Sequence, residues 1–208
     1  MCPSSGMDLV KIVVLGAPGV GKSSIIRQFV YHDFTEGHAP TRHKHTYFPS
    51  VVINEHLYQI RIVDLPVIPY FPMTSLHEWT DFRFYGLRSA TAYLLVFDLT
   101  QEQSFQYIKS IREQILASRN MHNVLIFVVG NKHDLGGAPR ADTQRREVVN
   151  IVKKSWKCGY IECSARYNWH VVALFKELMK AIHYIDYGHK PTAVRIQGAL
   201  RRNKCVIL

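Results

Sequence analysis

Short apolar runs alternate with amphipathic stretches along most of this chain. Leu9–Leu15 is β-branched and interrupted only by Lys11, as a strand buried on both faces requires. A glycine-rich loop follows, and Lys22–Tyr31 then reads as a helix. His32–Tyr47 is polar, His-rich and without a defined pattern. Tyr47–Asn54 and Tyr58–Asp64 carry strand patterning and are joined by the turn-like Asn54-Glu55. Leu65–Ser89 reads as irregular, and Pro66, Pro69 and Pro72 exclude an ordinary helix or central strand from its first part. Ala92–Asp98 is a second buried strand. Gln103–Ser118 places Phe105, Ile108, Ile111 and Ile115 at helical spacing. The series continues with a strand at Val124–Val129, a helix at Arg145–Trp156, a short strand at Tyr160–Cys163 and a closing helix at Val171–Ile185. Such alternation predicts an α/β fold with an open, mostly parallel sheet and helices on both faces. No internal repeat is visible. The pattern dissolves near Asp186, so the expected organisation is an N-terminal extension (1–8), one domain (9–185) and a basic tail (186–208).

Composition narrows the setting. A chain of 208 residues, 47% hydrophobic, fills one domain and a tail. The net charge of +10 predicts attraction to something anionic: nucleic acid, a phosphate-bearing ligand or an acidic leaflet. Four cysteines do not make a secreted disulfide framework. The first apolar run, broken by Lys11 and then by Gly16, Pro18 and Gly19, is not a secretory signal. No apolar stretch approaches the ~18–20 residues of a membrane span. The expectation is a reduced, cytosolic protein unless a terminus anchors it.

Gly16-Ala17-Pro18-Gly19-Val20-Gly21-Lys22-Ser23 fits the pattern G-x-x-x-x-G-K-[ST], between a predicted strand and a predicted helix. Glycines there let backbone N–H groups converge on phosphate oxygens, and the helix N-terminus adds its positive dipole end. Lys22 is expected to reach the β- and γ-phosphates, and Ser23 to help hold Mg²⁺. Base choice rests on Asn131-Lys132-His133-Asp134, directly after the strand ending at Val129. A carboxylate at Asp134 accepts guanine N1–H and its exocyclic amine, a donor pair that adenine lacks. Glu162-Cys163-Ser164-Ala165-Arg166 follows at the next strand end.

These three motifs, in this order, resemble the Ras superfamily of small GTPases across roughly Leu9–Ile185. The resemblance implies a P-loop NTPase of the Ras-like G-domain type, with a mostly parallel six-stranded sheet and about five helices. It implies GTP/GDP and Mg²⁺ as ligands. Phe34 matches the aromatic that packs on the base, and Thr41 the switch residue that ligates Mg²⁺ beside Ser23. Asp64 matches the acid behind the ion, and Asn131, Lys132, Asp134, Ser164 and Ala165 match the guanine pocket. Lys22 and Thr41 are the residues expected to act in catalysis. Trp156–His170 and Gln197-Gly198-Ala199-Leu200 further resemble the subgroup called Ras-like protein family member 10.

The chain also departs from that pattern. Where relatives begin the second switch D-x-x-G-Q, this chain has Asp64-Leu65-Pro66-Val67-Ile68. Ile68 cannot orient a water, Val67 lacks the freedom of glycine, and Pro66 removes a donor. Pro18 removes another N–H from the phosphate loop. Slow GTP hydrolysis is therefore expected, and the competing reading is a hydrolysis-deficient pseudo-GTPase scaffold held in the GTP state. After Thr41 come Arg42-His43-Lys44-His45, where relatives carry an acidic effector segment, so partners with basic Ras-binding surfaces should be repelled. His38, His43 and His45 read as a solvated basic loop, and Cys158 and Cys163 as small apolar side chains in or beside the sheet.

The last residues, Cys205-Val206-Ile207-Leu208, form a C-a-a-X box in which terminal Leu favours geranylgeranylation of Cys205. Arg195, Arg201, Arg202 and Lys204 supply the second, electrostatic signal at ~1 kcal/mol each near an anionic leaflet. The expected setting is the cytoplasmic side of the cell membrane, lipid-anchored, as a monomer with unidentified effectors and regulators. A nucleic-acid partner is not expected, because much of the excess charge lies in the tail and no recognition motif is present. An adenine-nucleotide kinase would share the phosphate loop but has no use for Asn131 and Asp134.

Overall fold

The computed structural model of the chain describes residues 8–37, 40–83, 85–122, 124–135, 139–187 and 205–207. Its centre is a strand series in the order β7-β6-β5-β1-β4-β3-β8. These strands are β1 (Asp8–Gly16), β3 (Ser50–Ile53), β4 (His56–Asp64), β5 (Ala92–Asp98), β6 (Leu125–Asn131), β7 (Gly159–Glu162) and β8 (Cys205–Ile207). A further short strand, β2 (His45–Tyr47), also pairs with β4. The pairs β1–β4, β1–β5, β5–β6 and β6–β7 are parallel. The six expected strands are all present. The segment read as one strand over Tyr47–Asn54 is broken at Phe48-Pro49 into β2 and β3, because proline cannot donate to the ladder. Asn54 and Glu55 both have positive φ, 48° and 70°, and close a two-residue hairpin into β4.

Five α-helices flank the sheet among the described residues: α1 (Lys22–Tyr31), α2 (Ser75–Asp81), α3 (Glu102–Ser118), α4 (Pro139–Asn150) and α5 (Val171–Tyr187). Helix α4 begins earlier than the sequence pattern indicates and continues as a π-turn over Ile151–Ser155. Side chains alternate across β1, so Val10, Ile12 and Val14 join Ile25, Ile26 and Phe29 of α1 and Leu174, Phe175 and Leu178 of α5 in one core. The Phe29 and Phe175 rings stack at 3.8 Å, a contact worth ~0.5–1.5 kcal/mol beyond its buried area. On the opposite face Val13, Leu15 and Val63 pack with Phe105, Ile108 and Ile111 of α3. Cys163 is buried and Cys158 half-buried, and both are free thiols.

The stretch 65–89 is more ordered than its prolines suggest. Thr74 caps α2 by accepting from His77 N at 3.1 Å, and the Glu78 carboxylate takes the backbone N–H groups of Leu87 and Arg88. Leu65, Ile68, Phe71, Phe82 and Leu87 are all buried and fasten the segment to the second core. Helix α5 runs to Tyr187, past the boundary expected near Asp186. Of the basic tail, Arg195, Arg201, Arg202 and Lys204 lie outside the described residues, as do His38 and residues 1–7 of the expected extension 1–8, whose last residue, Asp8, opens β1. Among the described residues, no helix is long and apolar enough to cross a membrane.

Candidate functional site

A cavity of about 370 Å³ opens at the C-terminal ends of β1, β4 and β6. Open parallel sheets commonly place ligands at this edge. The loop Gly16–Gly21 forms one wall. Gly16 ends β1 so close to β5 that an added Cβ would sit 2.3 Å from Val96 O. Gly21, at φ 91°, lies where a Cβ would strike Asn131 Nδ2 at 2.3 Å. Gly21 is also the N-cap of α1, and no side chain caps this helix. Its first N–H groups are therefore left for an exogenous acceptor, with the positive end of the helix dipole behind them.

Lys22 Nζ donates to Gly16 O at 2.9 Å and Ala17 O at 3.2 Å, curled over the loop. Burial pushes its pKa down, and the nearby Asp64 carboxylate partly opposes that shift. Ser23 Oγ donates to Asp64 Oδ2 at 2.5 Å and lies 2.8 Å from Thr41 Oγ1. Residues from α1, from the segment before β2 and from the end of β4 thus meet at one point. Asp64 is 1% exposed, and burial pushes its pKa up despite Ser23 and Lys22. Its second oxygen, Oδ1, is closed to solvent and has no hydrogen-bond partner among the described residues. An orphaned carboxylate oxygen beside two hydroxyls is an oxygen donor set that suits a hard divalent cation such as Mg²⁺.

The other end of the cavity is built around Asn131. Its Nδ2 donates to Val20 O at 2.8 Å, and its Oδ1 accepts from Ala165 N at 3.1 Å. One buried amide therefore ties the phosphate-loop candidate to the loop after β7. Phe34, Lys132, Asp134 and Ala165 line the cavity with Asn131. Lys132 has φ 63° and its Nζ lies 2.8 Å from Asp98 Oδ2. Ser164 does not line the cavity. It is buried, its Oγ accepts from Tyr167 N at 3.3 Å, and it shapes the turn that presents Ala165.

Three residues make contacts that no motif announces. Asp98 ends an all-apolar strand directly opposite Asn131 in the β5–β6 register, a carboxylate placed where only pairing makes it tolerable. Gln28 is buried on α1 and donates to Ala165 O at 2.8 Å. Arg166 pairs with Glu36 at 2.8 Å, linking the segment after α1 to the loop after β7. A polar residue at a buried helical position flags Gln28 in the sequence, but nothing local flags the other two as partners.

The second-switch residues separate. Val67 lines the cavity and is 39% exposed, whereas Ile68 is 1% exposed inside the second core. Tyr107 Oη donates to Ile68 O at 2.6 Å, and Phe71 N donates to Gln114 Oε1 at 2.7 Å, so α3 holds this stretch by its backbone.

The comparisons agree with this architecture. A family model described as Ras family matches residues 11–184. Ras-like protein family member 10B of Homo sapiens is 47% identical over 200 residues, covering 95% of this chain and 98% of that protein. Ras-like protein family member 10A of Mus musculus is 40% identical over 205 residues, covering 96% and 98%. Ras-related protein Ral-a of Drosophila melanogaster is 32% identical over 212 residues, covering 99% and 98%.

Proposed function

The chain belongs to the Ras family of small GTPases, and from that premise we propose that it is a membrane-anchored guanine-nucleotide switch that holds GTP or GDP tightly and hydrolyses GTP slowly. The observation that carries this reading is the meeting, along one cavity, of an uncapped helix N-terminus, Lys22, Ser23 and Thr41, backed by the buried Asp64, with the pocket of Asn131, Lys132 and Asp134. Backbone N–H groups of the loop bind phosphate oxygens, and Lys22 exchanges carbonyl partners for phosphate. Ser23, Thr41 and Asp64 would hold Mg²⁺, which would neutralise phosphate charge. Asp134 reads the guanine edge, Phe34 packs on the base, and Lys132, fixed by Asp98, floors the pocket.

Slow turnover follows from Val67 and Ile68. The side chain facing the cavity is an isopropyl group, and the next residue is turned into the core. Neither hydrogen-bonds a water, and Pro66 offers no N–H. These same residues favour the second reading, a pseudo-GTPase scaffold that binds GTP without turnover. Single-turnover hydrolysis of pre-loaded GTP, with retained nucleotide assayed in parallel, separates the two. Conversion over hours supports the slow switch, and GTP held unconverted supports the scaffold. Loss of all guanine nucleotide on gel filtration would overturn both.

Anchoring rests on Cys205 within the C-a-a-X box and on the basic residues before it. Transfer of a labelled geranylgeranyl group to the full chain but not to Cys205→Ser is the expected result. Equal labelling of the two, or none, would refute it.

A further inference from the structure

The helices cover the sheet unequally. On β3 and β4 burial alternates: Val51, Ile53, Tyr58, Ile60 and Ile62 lie under α1 and α5, while Val52, Leu57, Gln59 and Arg61 point the other way and are only partly covered. Leu9 and Lys11 on β1 share this second face, in register with Gln59 and Arg61. Leu9 is 57% exposed and Leu57 40%. Phe48, 59% exposed, falls opposite Arg61, since Tyr47 pairs with Ile62 and Pro49 O accepts from Ile60 N. Among the described residues, an apolar surface is left open here beside the first-switch segment.

The same face gathers positive charge from Lys11 and Arg61, with Lys44 close by. Lys11 and Arg61 sit directly across the β1–β4 pair, an arrangement that is destabilising for like charges. Burial brings Lys11 down to about 8, and Arg61 and Lys44 push in the same direction. Burial, followed by Arg61, also lowers Lys44. Lys11 Nζ is held by neutral groups, Gly86 O at 2.6 Å and Ser89 Oγ at 2.7 Å. The carboxylate that acts on Lys11, Glu78, is already engaged by the N–H groups of Leu87 and Arg88. Arg61 Nε is closed to solvent with no hydrogen-bond partner among the described residues.

We propose that this open face, between Phe48 and Leu9 and centred on Arg61, is a docking surface for an acidic, leucine-bearing segment of a partner protein. A carboxylate accepts from the planar Arg61 guanidinium and relieves its repulsion with Lys11, while apolar side chains of the segment cover Leu9, Phe48 and Leu57. Charge complementarity selects this occupant. A flat leaflet engages exposed, flexible cations, whereas here the cations are partly sunk and the apolar residues frame them. The surface lies outside the nucleotide cavity, so the proposal deepens the switch reading by naming a partner class without depending on turnover.

The test uses the full chain loaded with GDP and fluorescence anisotropy of a labelled peptide alternating Glu and Leu. A Gln/Leu peptide and phosphatidylserine vesicles are run in parallel. The Glu peptide is expected to bind with strong salt dependence and the Gln peptide at least about tenfold more weakly. Arg61→Gln and, separately, Lys44→Glu are each expected to weaken Glu-peptide binding about tenfold or more, with GDP retention unchanged. If Arg61→Gln lowers the melting temperature sharply, Lys44→Glu decides. Equal binding of the two peptides overturns the proposal, as does vesicle capture without peptide binding. Binding that survives both variants but disappears when Arg201, Arg202 and Lys204 are changed to Gln assigns the acid to the tail and also overturns it. Loss of GDP from the parent chain would refute the switch reading while leaving the peptide comparison intact.

Discussion

Replacing Ile68 with glutamine, the residue that the D-x-x-G-Q pattern carries there, is expected to damage the protein without accelerating hydrolysis. Ile68 is 1% exposed and packs with Leu65, Phe71, Phe82 and Leu87. Removing a fully buried isoleucine from this environment forfeits ~1.5–3 kcal/mol. An amide left there without a partner adds a penalty of ~1–3 kcal/mol. A net loss of about 3–5 kcal/mol lowers the melting temperature by roughly 6–20 °C in a domain of this size. The amide can reach the cavity only if residues 66–71 shift, which breaks the Tyr107 and Gln114 bonds to Ile68 O and Phe71 N. Thermal unfolding at saturating GDP measures the first effect, and single-turnover hydrolysis of GTP the second. An Ile68→Gln variant as stable as the parent and hydrolysing about tenfold faster or more would refute the reasoning, since residue 68 would then face the nucleotide. Val67→Gln is the informative companion. Val67 is half exposed on the cavity wall, so its change should alter stability by no more than ~0.5 kcal/mol.

Asn131→Ala strands the Val20 carbonyl and the Ala165 N–H, at about 1–3 kcal/mol for each group left unsatisfied, and release of fluorescent GDP should accelerate at least about tenfold. Lys132→Met leaves the Asp98 carboxylate buried without its cation and should cost about 3 kcal/mol by urea unfolding, much of it recovered when Asp98→Asn is added. Burial, reinforced by His56, holds the His183 pKa below its ordinary value although Asp186 opposes the shift, and Tyr58 Oη lies 2.7 Å from its Nδ1. The unfolded chain then binds the extra proton first, so stability should fall as pH drops below about 6.5 toward the folded value. His183→Gln should flatten that slope in unfolding curves taken between pH 7.5 and 5. Burial also pushes the Cys163 thiol up to about 12, so alkylation at pH 8 should spare it until the chain unfolds, as peptide mapping would reveal.

How much of this was legible depends on how local each signal is. Helix α1 and strand β5 have the bounds that the apolar pattern predicts, because a phosphate-loop glycine precedes the first and every residue of the second is buried. Helix α2 escaped notice because it is short, has no buried face and is held by Thr74 and Glu78 rather than by periodicity. Most motif residues line one cavity, while Gly16, Ala17, Val20 and Asp64 stand behind its wall and Ser164 shapes the turn that presents Ala165. Asp98 becomes a partner of Lys132 only once β5 and β6 are in register. Chemistry alone says that Ile68 cannot orient a water. That it is buried, with Val67 left facing the cavity, depends on Phe71, Phe82 and Leu87 arriving from the rest of the segment.

Holding a nucleotide and responding to it draw on different parts of this site. The holding groups sit at strand ends and on α1, cross-tied by Asn131, Gln28 and the Lys132–Asp98 pair, so they are as rigid as the sheet. A switch also needs a segment with two arrangements of similar free energy, because a ligand shifts an equilibrium only through differential affinity. The stretch 65–89 is a poor candidate, since five buried apolar side chains and bonds from Tyr107, Gln114 and Lys11 hold it in place. Freeing it would expose Leu65, Ile68, Phe71, Phe82 and Leu87 together, far more than one phosphate contact returns. Among the described residues, the segment carrying Thr41 has no buried apolar side chain before His45, which opens β2 opposite Asp64: Pro40, Arg42 and His43 are exposed, and the Thr41 hydroxyl meets Ser23. The physical asymmetry places the segment able to respond to nucleotide state at residues 40–44, the basic stretch before β2, and not in the Pro-rich segment after Asp64.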